Sequence, residues 1–210
     1  MPADWGLVAI RNRRLKIARF ADLNDPFELL GADLADRGHR VAFRQWKEQM
    51  NDRFGVLCFS DTWRSSLLWS HYGDKHRGLC LGFDLPDENA VKVRYRKSRL
   101  PVAEDELNEA NAMQFLSTKS DEWEYERETR VVVHLDEPDP CDGNYFADFG
   151  NEGDDLVLRK IIVGSLAPVT RSELENELDQ GGLSSAGVDL LKARLAFRSY
   201  SIVRDRRGLQ

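Results

Sequence analysis

Residues 55–84 read GVLCFSDTWRSSLLWSHYGDKHRGLCLGFD, and the order of patterns within them decides the fold class. GVLCFS is a short apolar run of the length of a buried strand. Ser60 or Asp61 can cap the next segment, where Trp63, Leu67 and Tyr72 recur at helical spacing until Gly73 stops them. GLCLGFD then alternates apolar and small residues as a second strand. A strand, a short helix and a strand thus follow one another with little chain between them.

Working outward, Phe43, Trp46, Met50 and Phe54 predict an amphipathic helix from about Arg40 to Arg53. Downstream, VKVRYR sets Val91, Val93 and Tyr95 against Lys92, Arg94 and Arg96, as a strand with one solvated face does, and is expected to pair with GLCLGFD. AEDELNEANAMQFL is helical by propensity, and RVVVHL and LRKIIVG are β-branched runs suited to central strands. Thr170 and Glu173 have capping-box spacing, opening a helix that ends before Gly181 and Gly182. In the tail, Leu191, Ala193, Leu195 and Phe197 alternate like a strand in a composition that also tolerates helix; two strands are expected. Asp136 to Asp155 is rich in Asp, Gly, Pro and Asn and should resist regular structure, while Tyr145, Phe146 and Phe149 fold it back onto something apolar. Strands and helices interleave without a regular βαβ period. The expectation is an α+β fold, one domain over residues 1–210, with a mixed, mainly antiparallel or split sheet flanked by helices.

Composition narrows the function classes. With 41% hydrophobic and 31% charged residues the chain can fill a core. No stretch approaches the roughly 18 to 20 apolar residues of a membrane span, and MPADWGLVAIRNRRLK lacks a basic-then-apolar leader pattern. A cytoplasmic protein without membrane partners is expected. Cys58, Cys80 and Cys141 are widely spaced without a CxxC pair, which predicts reduced, packed thiols rather than disulfides or a zinc ribbon. A net charge of −6 argues against a large nucleic-acid footprint, with basic runs at Arg11–Arg19 and Lys92–Arg99 as local exceptions. His71 and His76 stand five apart and no acidic partner has helical metal spacing, so no metal is expected.

Three segments carry candidate chemistry. In LNDPFE (23–28), Asn24-Asp25-Pro26 favours a turn, and Asn24 and Asp25 held there can hydrogen-bond nearby loops. In LWSHYGD (68–74), Ser70, His71 and Tyr72 lie at a helix end, where unsatisfied backbone groups and a near-neutral imidazole suit ligand contact. WEYERETR (123–130) is the richest. If a strand starts near Glu126, then Glu126, Glu128 and Arg130 share a face; if the preceding turn is helical, Glu124 and Glu128 do. Two carboxylates beside a guanidinium shift one another's pKa and can bind hydroxyls or stabilise positive charge; a solvated salt-bridge ladder is the alternative.

Taken together, LNDPFE, CFS, LWSHYGDKHRGLCLGFD and WEYERETR resemble the bacterial family called domain of unknown function 2971, over most of the chain. That family is in turn distantly similar to ADP-ribosyltransferase-fold proteins, including toxins, and its members are associated with phage defence. The resemblance implies an ADP-ribosyltransferase-like fold and NAD as substrate. It also implies a protein or nucleic-acid acceptor and an antitoxin or phage component as partner. By position, Glu128 is the late carboxylate that serves the reacting ribose, and Glu126 the companion that orients or deprotonates an acceptor. Ser70, His71 and Tyr72 line the middle of the site, with Asn24 and Arg130 as further cofactor contacts. Relatives carry a short aromatic-and-basic strand just upstream of ADWGLVAIRN, and this chain starts at Met1 almost inside that unit. The competing expectations are a noncatalytic domain that holds a nucleotide or phage-derived ligand, and a hydrolase pairing His71 with Glu126 or Glu128.

Overall fold

The computed structural model describes residues 1–28, 31–85, 90–101, 108–151 and 153–209. In chain order the helices are α1 (Ala3–Asn12), α2 (Arg37–Arg53), α3 (Ser66–His71), α4 (Glu109–Leu116) and α5 (Arg171–Gln180). The strands are β1 (Arg14–Arg19), β2 (Phe54–Ser60), β3 (Leu79–Asp84), β4 (Ala90–Lys92), β5 (Arg94–Arg96) and β6 (Thr118–Ser120). They continue with β7 (Glu128–His134), β8 (Tyr145–Asp148), β9 (Val157–Val163), β10 (Asp189–Leu195) and β11 (Ile202–Arg204). The architecture is α+β with mainly antiparallel sheets. The chain divides into two compact units, each drawn from separated segments.

The first unit takes Met1–Leu15, Thr62–Asp87 and Ala147–Gln210. Its sheet runs β11-β10-β9-β3, with β9 parallel to β10 and antiparallel to β3. Trp69 of α3 packs with Ile162, Leu191, Ala193 and Ile202, and its indole N–H donates to Trp63 O at 2.7 Å. The expected capping box is present at α5, where Thr170 and Glu173 satisfy each other's backbone amides. Arg11 of α1 forms a two-pronged pair with Glu177 of α5 at 2.6 and 2.7 Å. The two C-terminal strands form a hairpin, as the alternation of Leu191, Ala193 and Leu195 predicts.

The second unit takes Lys16–Asp61 and Glu88–Phe146. The five-stranded sheet β4-β7-β2-β1-β8 has antiparallel pairing through β4, β7, β2 and β1; β5 and β6 form a separate parallel pair. Helix α2 begins at Asp36, whose carboxylate accepts the Gly38 and His39 amides. It lays Phe43, Trp46 and Met50 into a core completed by Val56 of β2 and Phe115 and Leu116 of α4. Phe43, Trp46 and Phe115 meet with centroids 5.3 to 5.8 Å apart. Each buried ring of this kind contributes on the order of 1.5–3 kcal/mol by leaving water.

Four expectations are corrected. VKVRYR is not one strand and does not pair with GLCLGFD: it breaks at Val93, β4 pairs with β7, and β5 pairs with β6. Val93 still sends its N–H to Glu128 O of β7, whereas Arg94 sends its N–H to Ser117 O, so the chain changes partner between them. The N-cap of α3 is Ser65 rather than Ser60 or Asp61, because the helix starts only at Ser66. The segment from Asp136 to Asp155 contains the regular strand β8, although it folds back as expected, with Phe149 fully buried edge-on against Phe83 at 5.1 Å. The three cysteines are free, but Cys58 and Cys141 are exposed rather than packed. Of the helix expected over AEDELNEANAMQFL, residues 109–116 are helical and the part before Asn108 lies outside the described residues.

Candidate functional site

The alternation of β2 and β7 places Val56 opposite Val132, Cys58 opposite Arg130 and Ser60 opposite Glu128, all on one sheet face. Val56 and Val132 belong to the aromatic core, so this face runs from apolar packing at one end to charge at the other. Ahead of β7, Asp121–Glu126 forms a 3₁₀ turn that ends at Arg127 in the left-handed region (φ 45°). That residue joins turn to strand between the two carboxylates, so Glu126 closes the turn, Glu128 opens the strand, and both reach Lys119 of β6.

Arg130, 1% exposed, is the hub. Its Nη1 and Nη2 donate to the two oxygens of Glu28 at 2.6 and 2.9 Å. Its Nε and Nη2 donate to Glu128 at 2.7 and 3.1 Å, and Nη1 also reaches Leu116 O at 2.7 Å. All five guanidinium N–H groups are thereby used within the protein. Lys119 Nζ lies 2.6 Å from Glu126 and 3.3 Å from Glu128, and 4.7 Å from the centre of the Trp123 ring. The Glu128 amide donates to the Tyr95 hydroxyl at 2.8 Å.

Burial works against the charges of Glu128, Lys119 and Arg130, and their partners override it. Desolvation pushes the Glu128 carboxyl up, yet the hydrogen bond and charge of Arg130, with Lys119, hold it below the usual range. Desolvation pulls Lys119 down, and Glu128 and Glu126 return it above its ordinary value. Arg130 is likewise raised against desolvation by Glu28 and Glu128. Lys47 donates to Glu28 O at 2.6 Å; here desolvation outweighs the charges of Glu28 and Asp25 and leaves the amine below its ordinary pKa. Counting Asp25, Glu28, Glu126 and Glu128 as anions against Lys47, Lys119 and Arg130, the cluster keeps a formal charge of −1.

Cys58 is the accessible member. Its thiol bonds Glu128 and is pushed well above its ordinary pKa, first by desolvation and then by Glu128. Cys58 is exposed, and it stands directly across the β2–β7 pair from Arg130. Among the described residues, no group of three or more His, Cys, Asp or Glu side chains could hold a metal ion.

Of the residues singled out from sequence, Glu126, Glu128 and Arg130 are brought together. Asn24 is exposed, on the turn where Asp25 Oδ1 accepts the Phe27 amide and Glu28 points inward. Arg130 spends its donors on protein groups, so it positions carboxylates rather than offering a hand to a ligand. Ser70, His71 and Tyr72 lie in the other unit, exposed at the end of α3. There the chain makes an unusual reversal: Asp74, Lys75 and His76 all take left-handed φ values of 46°, 52° and 71°. The turn is locked by Gly78 N–H to Gly73 O and by Leu166 N–H to His76 O. Glu28, Lys119, Tyr95 and Cys58 are the site residues that sequence reasoning passed over. For Glu28 a signal existed, because it ends the LNDPFE segment; Lys119 in STKSDEW carries none.

An α+β protein built around a buried, net-negative carboxylate cluster is what fold and site define together. Compared with family models, with curated proteins and with solved structures, the chain matches none.

Proposed function

We propose that the chain is an ADP-ribosyltransferase-like protein that takes NAD, with Glu128 as the carboxylate facing the reacting ribose. One arrangement supports this reading: Glu128 is kept ionised in a cluster of formal charge −1, in hydrogen-bond contact with the exposed Cys58. A fixed negative charge favours the oxocarbenium-like sugar that develops as nicotinamide departs. The C1′–N bond breaks with its electron pair going to the pyridinium nitrogen, and the acceptor's nucleophile bonds C1′ as its proton passes to Glu126. The Lys119–Glu128 contact, at 3.3 Å the longest in the cluster, is the one a ribose hydroxyl displaces; Lys119 keeps Glu126 at 2.6 Å. Arg130 acts as a positioning residue. The acceptor is a protein or nucleic acid, and a cytoplasmic toxin or phage-defence setting follows from the family resemblance.

A second reading, a domain that holds a nucleotide without turning it over, is favoured by one observation. Both Glu128 oxygens already accept from Arg130. Nicotinamide release from labelled NAD, measured for the native chain and for Glu128→Gln with the melting temperature of each, separates the two. Transfer or cleavage that drops about 100-fold in a folded Glu128→Gln supports the catalytic reading. Stabilisation by NAD without product supports the binding reading. Turnover that persists undiminished in Glu128→Gln removes Glu128 from the chemistry.

A further inference from the structure

The hairpin of β10 and β11 presents a feature the carboxylate cluster does not use. Between the strands, Phe197 and Tyr200 are 91% and 101% exposed, and they contribute nothing to the core. From Lys192 to Arg207 the chain has six basic residues and one acidic residue, in a protein of net charge −6. Lys192 donates to Ala167 O at 2.6 Å, and Arg207 pairs with Asp205 at 2.9 Å. Among the described residues, Arg198, Arg204 and Arg206 have no carboxylate partner. They line a recess of about 460 Å³ with Arg194 and Phe197, and the Arg194 guanidinium lies 4.5 Å from the Phe197 ring centre. A second recess of the same volume opens on the Tyr200 side.

We infer that this hairpin tip is a binding surface for single-stranded nucleic acid, with Phe197 and Tyr200 stacking on bases and Arg198, Arg204 and Arg206 pairing phosphates. Each part follows from residue chemistry. Exposed rings offer π faces to bases freed from a duplex, and stacking of that kind tolerates any sequence. The cationic side chains are guanidinia, whose planar fork matches phosphate in two-pronged contact and also stacks on rings. A recess between arginines takes a phosphodiester and its base, whereas a lipid surface is broad and flat. The inference is independent of the role of Glu128, because the hairpin and the cluster belong to different units.

Fluorescence anisotropy of the full chain with labelled oligo-dT and oligo-rU of about 20 nucleotides tests it. Log affinity should fall against log salt with a slope of about −2 to −3, as three or four phosphate contacts on a single strand give. Arg198→Ala/Arg204→Ala/Arg206→Ala should weaken binding at least about tenfold and flatten the slope by about 2. Phe197→Ala/Tyr200→Ala should weaken it about tenfold or more while leaving the slope in place. All five side chains are exposed, so melting temperatures should match the native chain. Unchanged affinity in both variants overturns the inference. So does retention on phosphatidylserine vesicles by a chain that binds neither oligonucleotide.

Discussion

Replacing Arg130 with Met should be the most costly single change in the second unit, and its pH dependence distinguishes charge from packing. Methionine refills much of the apolar volume of the arginine stem. It supplies none of the five N–H groups that now reach Glu28, Glu128 and Leu116 O. Glu128 keeps Lys119 at 3.3 Å, but both Glu28 oxygens lose the guanidinium they accept from. Removing one partner from a buried ion pair costs about 3–5 kcal/mol, a large share of the roughly 5–15 kcal/mol that holds a domain folded. In the native chain the Glu128 pKa is lowered, so its contribution is complete above the unfolded value near ~4.3 and is lost as pH falls through the folded value. In Arg130→Met, desolvation prevails and the folded pKa rises above the unfolded one. The sign then inverts, and the folded variant gains protons and stability as the pH drops. Urea unfolding followed by circular dichroism and tryptophan fluorescence should show the full deficit near pH ~7 and a smaller one near pH ~5. A deficit below about 1 kcal/mol, or one that does not change between these pH values, refutes the account of the cluster.

Two further substitutions probe local structure. Lys75→Gly should stabilise the first unit by about 0.5–1 kcal/mol, since an exposed lysine at φ 52° bears a left-handed cost that glycine escapes; an unchanged or lower melting temperature counts against strain in that turn. Thr170→Ala should cost about 1 kcal/mol through loss of the α5 capping box, read by thermal melting, and a loss below about 0.3 kcal/mol would mean that Glu173 alone caps the helix.

Local elements were legible in the sequence because local spacing creates them. The strand, helix and strand of residues 55–84, the α5 cap and the β-branched run at Val131–Val133 all declare themselves within a few residues. Pairing partners did not, because the change falls between Val93, whose N–H donates to Glu128 O, and Arg94, whose N–H donates to Ser117 O, both acceptors far away in sequence. Strand β8 hid in turn-forming composition, since main-chain bonds at a sheet edge ask little of side chains. The candidate site was half visible. Glu126, Glu128 and Arg130 stand within five residues, whereas Lys119 looks like an ordinary surface charge, and Glu28, at the end of LNDPFE, stands 102 residues from Arg130 until the fold buries them together.

The segment order of the two units sets a timetable for synthesis. Every residue of the second unit has left the ribosomal tunnel while part of the first is still being made, since Ala147–Gln210 comes last. Helix α1, produced at the start, must therefore wait for α5, with Arg11 lacking Glu177 throughout translation of the middle of the chain. The buried charges around Arg130 can assemble on the nascent polypeptide, and closure of the first unit becomes the late, long-range step of folding.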